Sequence, residues 1–446
     1  MRTYLLASAA LLGLVAATSA QAATFAPSDP SRNASAFGAP QTKPEPGKII
    51  VHMGGLVDVA AAYSQSGPDK SAVNGSKNAT AGMDGYFRLY FGFDGKLTNG
   101  MIYGAKSEMR TNFQSNVGST STSGGSFQST WSTRRAYGYV GGDSWGILRI
   151  GQGDGPISLF TGGGITTGEA FSTGAWNGDA CAFVGAGCIG WGFLAAGGEY
   201  VTNKVTYVSP SFGGLQVGAS FSPSTASLNA NGSGNASATG NPTQITSTSA
   251  TDTVRAKNIF EVAARWQGNL GPVAVDTTVG YLGSDVVKPT SGAALPTGVT
   301  SVKGLSDIDA GLSLSYMGAS VFGHVTTGAS NGGATGTRVQ LASGRKKNGL
   351  AWVVGSQYSS GPYTIGTSWY QYDSQGSNAG TGNRQERGFA LGGQYTVVTG
   401  FDVFLEYLWG SRNQKGVNFV DGGLGSALNN NKITTSMVML TGLWRW

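Results

Sequence analysis

Residues 150–203 read IGQGDGPISLFTGGGITTGEAFSTGAWNGDACAFVGAGCIGWGFLAAGGEYVTN. The stretch contains no Lys or Arg, carries the acids Asp154, Glu169 and Asp179 in its body, and is crowded with Gly. It holds neither a period of two nor a period of 3.6 for long. On both sides the chain alternates apolar and polar residues, as half-buried strands do, and carries basic groups. A long segment without regular structure inside a compact domain is read as functional. The expectation is that it folds inward and that the rest of the chain wraps around it as a barrel.

Working outward, TRRAYGYVGGDSWGILRIGQ (133–152) is the hairpin before it and NKVTYVSPSFGGLQVGASFSPS (203–224) the one after. In KIIVHMGGLVDVAAAYS (48–64), Val51, Met53, Val57 and Val59 share one face and His52, Asp58 and Ser64 the other. In 84–113, Phe87, Leu89, Phe91 and Phe93 oppose Tyr86, Arg88 and Tyr90, while Lys106, Glu108, Arg110 and Asn112 share a face. Hairpins follow at 259–283, 308–328, 350–373 and 387–410, and TTSMVMLTGLWRW (434–446) is a last strand. Short turns such as QGNLGP and SSGP alternate with long Ser/Thr/Asn/Gly-rich connections, as in membrane barrels with short inner turns and long outer loops. Aromatics recur beside the short turns: Phe93, Trp145, Tyr207, Trp266, Tyr316, Tyr358, Tyr363, Tyr395 and Phe401. That is the pattern of an interfacial girdle. The pattern predicts an all-β transmembrane antiparallel barrel of sixteen strands; a hairpin hidden in 222–255 would make eighteen.

Composition agrees. Charged residues are 12% and Gly is 73 of 446, about half the usual charge of a soluble domain. No segment after the N-terminus reaches eighteen uninterrupted apolar residues, so no transmembrane helix is expected. Met1-Arg2, the apolar run Tyr4–Ala17 and Ala20-Gln21-Ala22 have the order of a secretory signal peptide. The expected division is a signal peptide (1–22), a Pro-rich periplasmic arm (23–47) and a barrel (48–446) with a constriction loop at 151–199. Two Cys in an exported chain suggest one disulfide, Cys181–Cys188. The net charge of +6 is scattered singly along strands, without a basic cluster, and excludes a nucleic-acid partner.

The pieces GGLVDVAAAYS, RLYFGFDGKLTNG, RRAYGYVGGDSWGILRIGQGDGP, NKVTYVSPSFGGLQVGASF and the terminal strand, in this order, resemble the general porins of Gram-negative outer membranes, alpha- and betaproteobacterial type. The resemblance implies a sixteen-stranded homotrimer in the outer membrane, with the third outer loop narrowing a water-filled lumen for passive diffusion of small hydrophilic solutes and ions. Gln152 stands where the family often has a basic residue, and the enteric acidic loop motif is not recognisable. Trp444 and Trp446 resemble the terminal aromatic signature read by the barrel-assembly machinery.

For the constriction, parity turns Arg88 into the lumen, and Lys106 and Arg110 with it. Arg134 lies opposite Tyr137 and Tyr139 and is assigned to the same basic wall, while Arg135 takes outward parity, at the rim or a subunit contact. Residues 86–149 hold seven basic groups and three acids. The acids Glu169 and Asp179 of the loop are expected to face Arg88, Lys106, Arg110 and Arg134 across the lumen, with a lean towards anions. The loop aromatics Phe160, Phe171, Trp176, Phe183, Trp191 and Phe193 are read as anchors to the wall, although they leave open a substrate-specific channel for sugars or organic acids. A closed structural or adhesive barrel is the other alternative. His52 and His324 stand alone, without metal-ligand spacing or a nucleophile set, so neither metal, cofactor nor enzyme is expected.

Overall fold

The computed structural model describes residues 43–67, 79–112, 131–160, 179–184, 188–190, 192–193, 202–224, 246–247, 256–286, 288–289, 301–329, 340–342, 348–376, 382–419 and 431–446. Residues 1–22 and most of the arm at 23–47 lie outside them. Sixteen antiparallel strands close into one barrel. They are β1 (Ile49–Ser66), β2 (Ala81–Lys96), β3 (Ile102–Asn112), β4 (Ser132–Gly142), β5 (Gly146–Gly153), β6 (Thr202–Val208), β7 (Leu215–Ser224) and β8 (Ala256–Leu270). The second half comprises β9 (Val273–Val286), β10 (Ser306–Tyr316), β11 (Ala319–Gly328), β12 (Gly349–Ser360), β13 (Tyr363–Ser374), β14 (Arg384–Val398), β15 (Phe401–Asn413) and β16 (Lys432–Arg445). Each strand pairs with its chain neighbour, and β16 closes on β1 from Leu56↔Arg445 to Ser66↔Thr435. Full closure satisfies the strand edges, which a wall in lipid requires. Within 222–255, Thr246–Ser247 pairs with Lys288–Pro289 in a separate two-stranded sheet, and among the described residues no further barrel strand follows the end of β7 at Ser224.

Alternation decides which face each side chain takes. Val279, Ile308, Val354, Leu391 and Leu405 are exposed on the outer face, an apolar band. Below it the girdle aromatics meet across strands: Tyr363 on Tyr395 at 5.0 Å and Phe401 on Trp444 at 4.8 Å. Trp446 exchanges backbone hydrogen bonds with Gly55 and lies 5.7 Å from Phe87. The turns are tight; Met317 and Gly318 both take positive φ (46° and 82°) between β10 and β11, the geometry that suits a two-residue hairpin loop.

The described pieces of the long connection after β5 lie inside the barrel. Its first piece, helix α1 (Pro156–Leu159), lies on the inner wall, where Ile157, Leu159 and Phe160 bury with Val208, Ile259, Ala263 and Leu282. Gly218 and Gly280 permit the approach, since a Cβ on either would stand 2.7 Å from Pro156 or Ile157. Its second piece, helix α2 (Asp179–Val184), sits against β1, β2 and β16. Ala180, Val184, Ile189 and Phe193 join one buried cluster with Ala60, Ala62, Ala351, Val353, Ala390, Leu408, Met437 and Met439. These wall positions are small or apolar although they face the lumen, and the loop lands on them.

Candidate pore constriction

The basic wall is built by β2–β6, whose inner faces carry Arg88, Lys106, Arg110, Arg134, Arg135, Arg149 and Lys204. On β2 and β3, parity holds as read. Arg88 and Arg110 are cross-strand partners, and both guanidinium groups lie over the Tyr86 ring, at 4.5 and 4.6 Å. Lys106 stands 5.9 Å from the Tyr139 ring. Arg110 is half-buried and Arg134 keeps some exposure, whereas Arg88 and Lys106 are almost wholly covered.

On β4 the expectation fails. Tyr137, Tyr139 and Arg135 face inward and are buried. Arg135 is neither at the rim nor at an outer contact. The register shifts between Glu108↔Arg135 and Met109↔Thr133, which leaves Arg134 as an extra residue in the ladder. Such a bulge lets two successive side chains reach the same side. Arg134 Nη1 donates to Glu108 Oε1 at 3.1 Å, and Arg135 Nη1 donates to Glu108 Oε2.

Arg135 also forms a two-point clamp on Asp154, the first acid of the loop: Nε to Oδ2 at 2.7 Å and Nη2 to Oδ1 at 2.9 Å. The Asp154 carbonyl accepts from Arg149 Nη2 at 2.5 Å and from Thr206 Oγ1 at 3.4 Å. Burial pushes the Asp154 carboxyl up, but Arg135 and Arg149 outweigh it and hold the group below the ordinary carboxylate value. The start of the loop is thus tied to the basic wall by a carboxylate the sequence reading had left unassigned.

The far end of the loop has its own anchor. Gly190 N–H donates to Glu386, whose carboxylate also accepts from Arg412 Nε at 2.9 Å. Tyr370 Oη donates to the Gly190 carbonyl at 2.7 Å and accepts from Gly192 N–H at 2.9 Å. Phe193 packs 5.3 Å from His324 and 5.5 Å from Tyr370. Cys181 and Cys188 are bonded, with Cα atoms 4.9 Å apart, and join α2 to this second anchor. Of the loop aromatics, Phe160, Phe183 and Phe193 pack on the wall; Phe171, Trp176 and Trp191 lie outside the described residues. Glu169 lies outside them too, as does the side chain of Asp179. The only spacing signal for Glu386, Tyr370 and Phe193 would have been apolar residues on the lumen side of β12–β16.

Elsewhere on the inner face stand the buried acids Asp307 and Asp309 on β10, Asp402 and Glu406 on β15, and Asp58 on β1 beside the basic sector, and among them the cations Arg384, Arg412 and Arg445 of β14–β16. Some of the acids are matched locally, Asp309 by His324 Nε2 at 2.8 Å and Asp402 by Arg445. The lumen wall is therefore richest in cations on β2–β6, while the rest of it carries both signs of charge.

The model of the Gram-negative porin family matches residues 7–415. No curated protein matches the chain. Among solved structures, OmpF of Salmonella typhi is similar with a TM-score of 0.55 at 12% identity, covering 89% of this chain and 97% of that one. The anion-selective porin of Comamonas acidovorans gives 0.52 at 15% identity over 89% and 100%, and the trimer form of OmpT of Vibrio cholerae 0.50 at 11% over 89% and 99%. At these identities the likeness shows the fold. The family match, the closed sixteen-stranded wall with its apolar outer band and the inward loop describe an outer-membrane channel for passive diffusion of small solutes: the chain belongs to the Gram-negative porin family.

Proposed function

We propose that solutes cross in a gap bounded by the loop and the basic wall, within a field directed across the lumen. The observation that carries this is the crowding of cations on β2–β6, where Arg110 and Arg134 keep exposure on β3–β4. Glu169 and Asp179 add negative charge from the loop. A transverse field orients dipolar solutes and disfavours apolar ones, which displace ordered water without replacing its interactions. Glu108 and Asp154 neutralise part of the basic wall, so the preference for anions is weak. Phe160, Phe183 and Phe193 are taken up by packing on the wall, which favours general diffusion over an aromatic track for one substrate.

The expected assembly is a homotrimer, as the OmpT structure of Vibrio cholerae is described. An outward groove floored by Ala61 and Ala81 and flanked by Tyr63, Met83, Val438 and Leu440 offers a close-packing surface on β16, β1 and β2. Planar-bilayer recording tests both statements. R110Q/R134Q is expected to move the reversal potential in a KCl gradient towards cations, and E169Q/D179N the other way. Both shifts shrink in 1 M salt, where the Debye length is about 3 Å. Unchanged reversal potentials in both double mutants refute the field. A trimer adds current in three equal levels per insertion; insertions with a single level refute the trimer.

A further inference from the structure

The chain that leaves β15 is clasped to its neighbours by Gln414, a buried residue. Its backbone N–H donates to the Asn431 carbonyl at 2.9 Å, just before β16. Its side-chain amide donates to the carbonyls of Gln375 at 3.2 Å and Gly382 at 3.0 Å, at the ends of β13 and β14. Its side-chain oxygen accepts from Arg384 Nε at 2.9 Å. Gly376 permits this, since its φ is 69° and a Cβ there would collide with the Gln414 amide. Gly416, at φ 79°, donates its N–H to Asn431 Oδ1 at 3.1 Å. Val417, Asn418 and Phe419 are then buried, and Val417 and Phe419 pack with Ile433 on the inner face of β16.

Phe419 meets charge as well as apolar groups. The guanidinium groups of Arg384 on β14 and Arg412 on β15 lie over its ring, 5.3 and 5.6 Å from the centroid. Both cations flank the buried carboxylate of Glu386. Arg412 Nε donates to Oε1 at 2.9 Å, and Arg384 Nη1 stands 3.9 Å from the same oxygen. The other oxygen, Oε2, accepts from the Gly190 N–H at the far anchor of the constriction loop. Two like charges this close stay in place only where their surroundings neutralise and orient them. The Glu386 carboxylate and the Gln414 oxygen do so, and so does the negative face of the Phe419 ring.

We propose that Phe419 is a positioning residue of the constriction. The outer loop that starts at Gln414 fixes Arg384 and Arg412, these fix Glu386, and Glu386 fixes Gly190. The proposal rests on the reading that the loop narrows the lumen, because then the place of Gly190 sets the gap. The outer mouth and the far anchor thus form one unit on β13–β16. Helix α1, packed on β6–β9, is held independently of it.

The test compares F419L, which keeps apolar bulk against Val417 and Ile433 but loses the ring, with F419Y, which keeps both. F419M, read in the same way, guards against a folding failure of F419L. Hydrogen exchange of detergent-folded protein, followed by mass spectrometry, reads the Gly190 and Gly192 amides against those of Leu159 and Phe160 in and beside α1. The expected result for F419L is about tenfold faster exchange at Gly190 and Gly192, with Leu159 and Phe160 unchanged. F419Y is expected to match the wild type. In bilayers F419L is expected to close about tenfold more often, with its reversal potential unchanged. A wild type without current refutes the channel reading, and the exchange rates then decide the role of Phe419 by themselves. Wild-type exchange at Gly190 in F419L, equal acceleration at Leu159, which marks general loosening, or F419Y exchanging like F419L overturns the proposal.

Discussion

Replacing Arg135 with Met is expected to cost the folded barrel about 3–5 kcal/mol, the usual price of stranding a buried charge. Arg135 is 2% exposed and holds two carboxylates at once, Glu108 at 0% and Asp154 at 3%. Its removal leaves Glu108 to Arg134 and Arg88, and leaves Asp154 with no side-chain clamp among the described residues. The neighbouring R134Q should cost at most about 1 kcal/mol, because Arg134 is partly solvated and Glu108 keeps Arg135. Urea midpoints of detergent-folded protein, followed by the heat-dependent gel shift of the barrel, compare the two. The double variant R135M/D154N should recover much of the loss, because it neutralises the carboxylate that R135M strands while Glu108 keeps Arg134 and Arg88. Equal midpoints for R135M and R134Q would show that the cluster does not hold the wall.

The second large effect concerns the tip of the loop. Phe193 is 1% exposed and fills the space between His324 and Tyr370. Phe193→Ala should weaken this anchor by about 3–5 kcal/mol. The tip then rests on the Gly190 and Gly192 hydrogen bonds to Glu386 and Tyr370 and on the smaller buried side chain of Ile189. A local unit this weakened opens often rather than rarely, and the freed tip enters the gap. Single-channel records of F193A are expected to show frequent closures and a lower mean current, while the urea midpoint falls much less than in R135M. Wild-type dwell times in F193A would mean that the tip is held elsewhere.

The barrel was legible because one face of nearly every strand must meet lipid, which imposes a period of two that survives any detail of packing. Arg88, Lys106 and Arg110 followed from it. β4 did not, for two reasons. Tyr137 and Tyr139 looked like outward aromatics, yet they bury under the start of the loop, and the bulge opposite Glu108 breaks strict alternation. The landing site of the loop was hidden by the same rule that revealed the barrel. A lumen wall is expected to be polar, but Ala351 and Val353 on β12 and Met437 and Met439 on β16 are apolar and face inward. Leu350, Trp352, Val438 and Leu440 are apolar on the outer face of the same strands. Strands apolar on both faces mark where something packs inside. The Arg135–Asp154 clamp joins residues 19 apart across the β4–β5 hairpin, just beyond the Ala136↔Gln152 pair, and strict alternation hid it by turning Arg135 outward.

Conductance of the purified, heat-modifiable protein in a planar bilayer tests the central claim most directly. A water-filled lumen narrowed but not closed by the loop predicts stepwise current that rises with the conductivity of the KCl bath. Silence from protein shown by the gel shift to be fully folded would contradict it and leave a closed barrel.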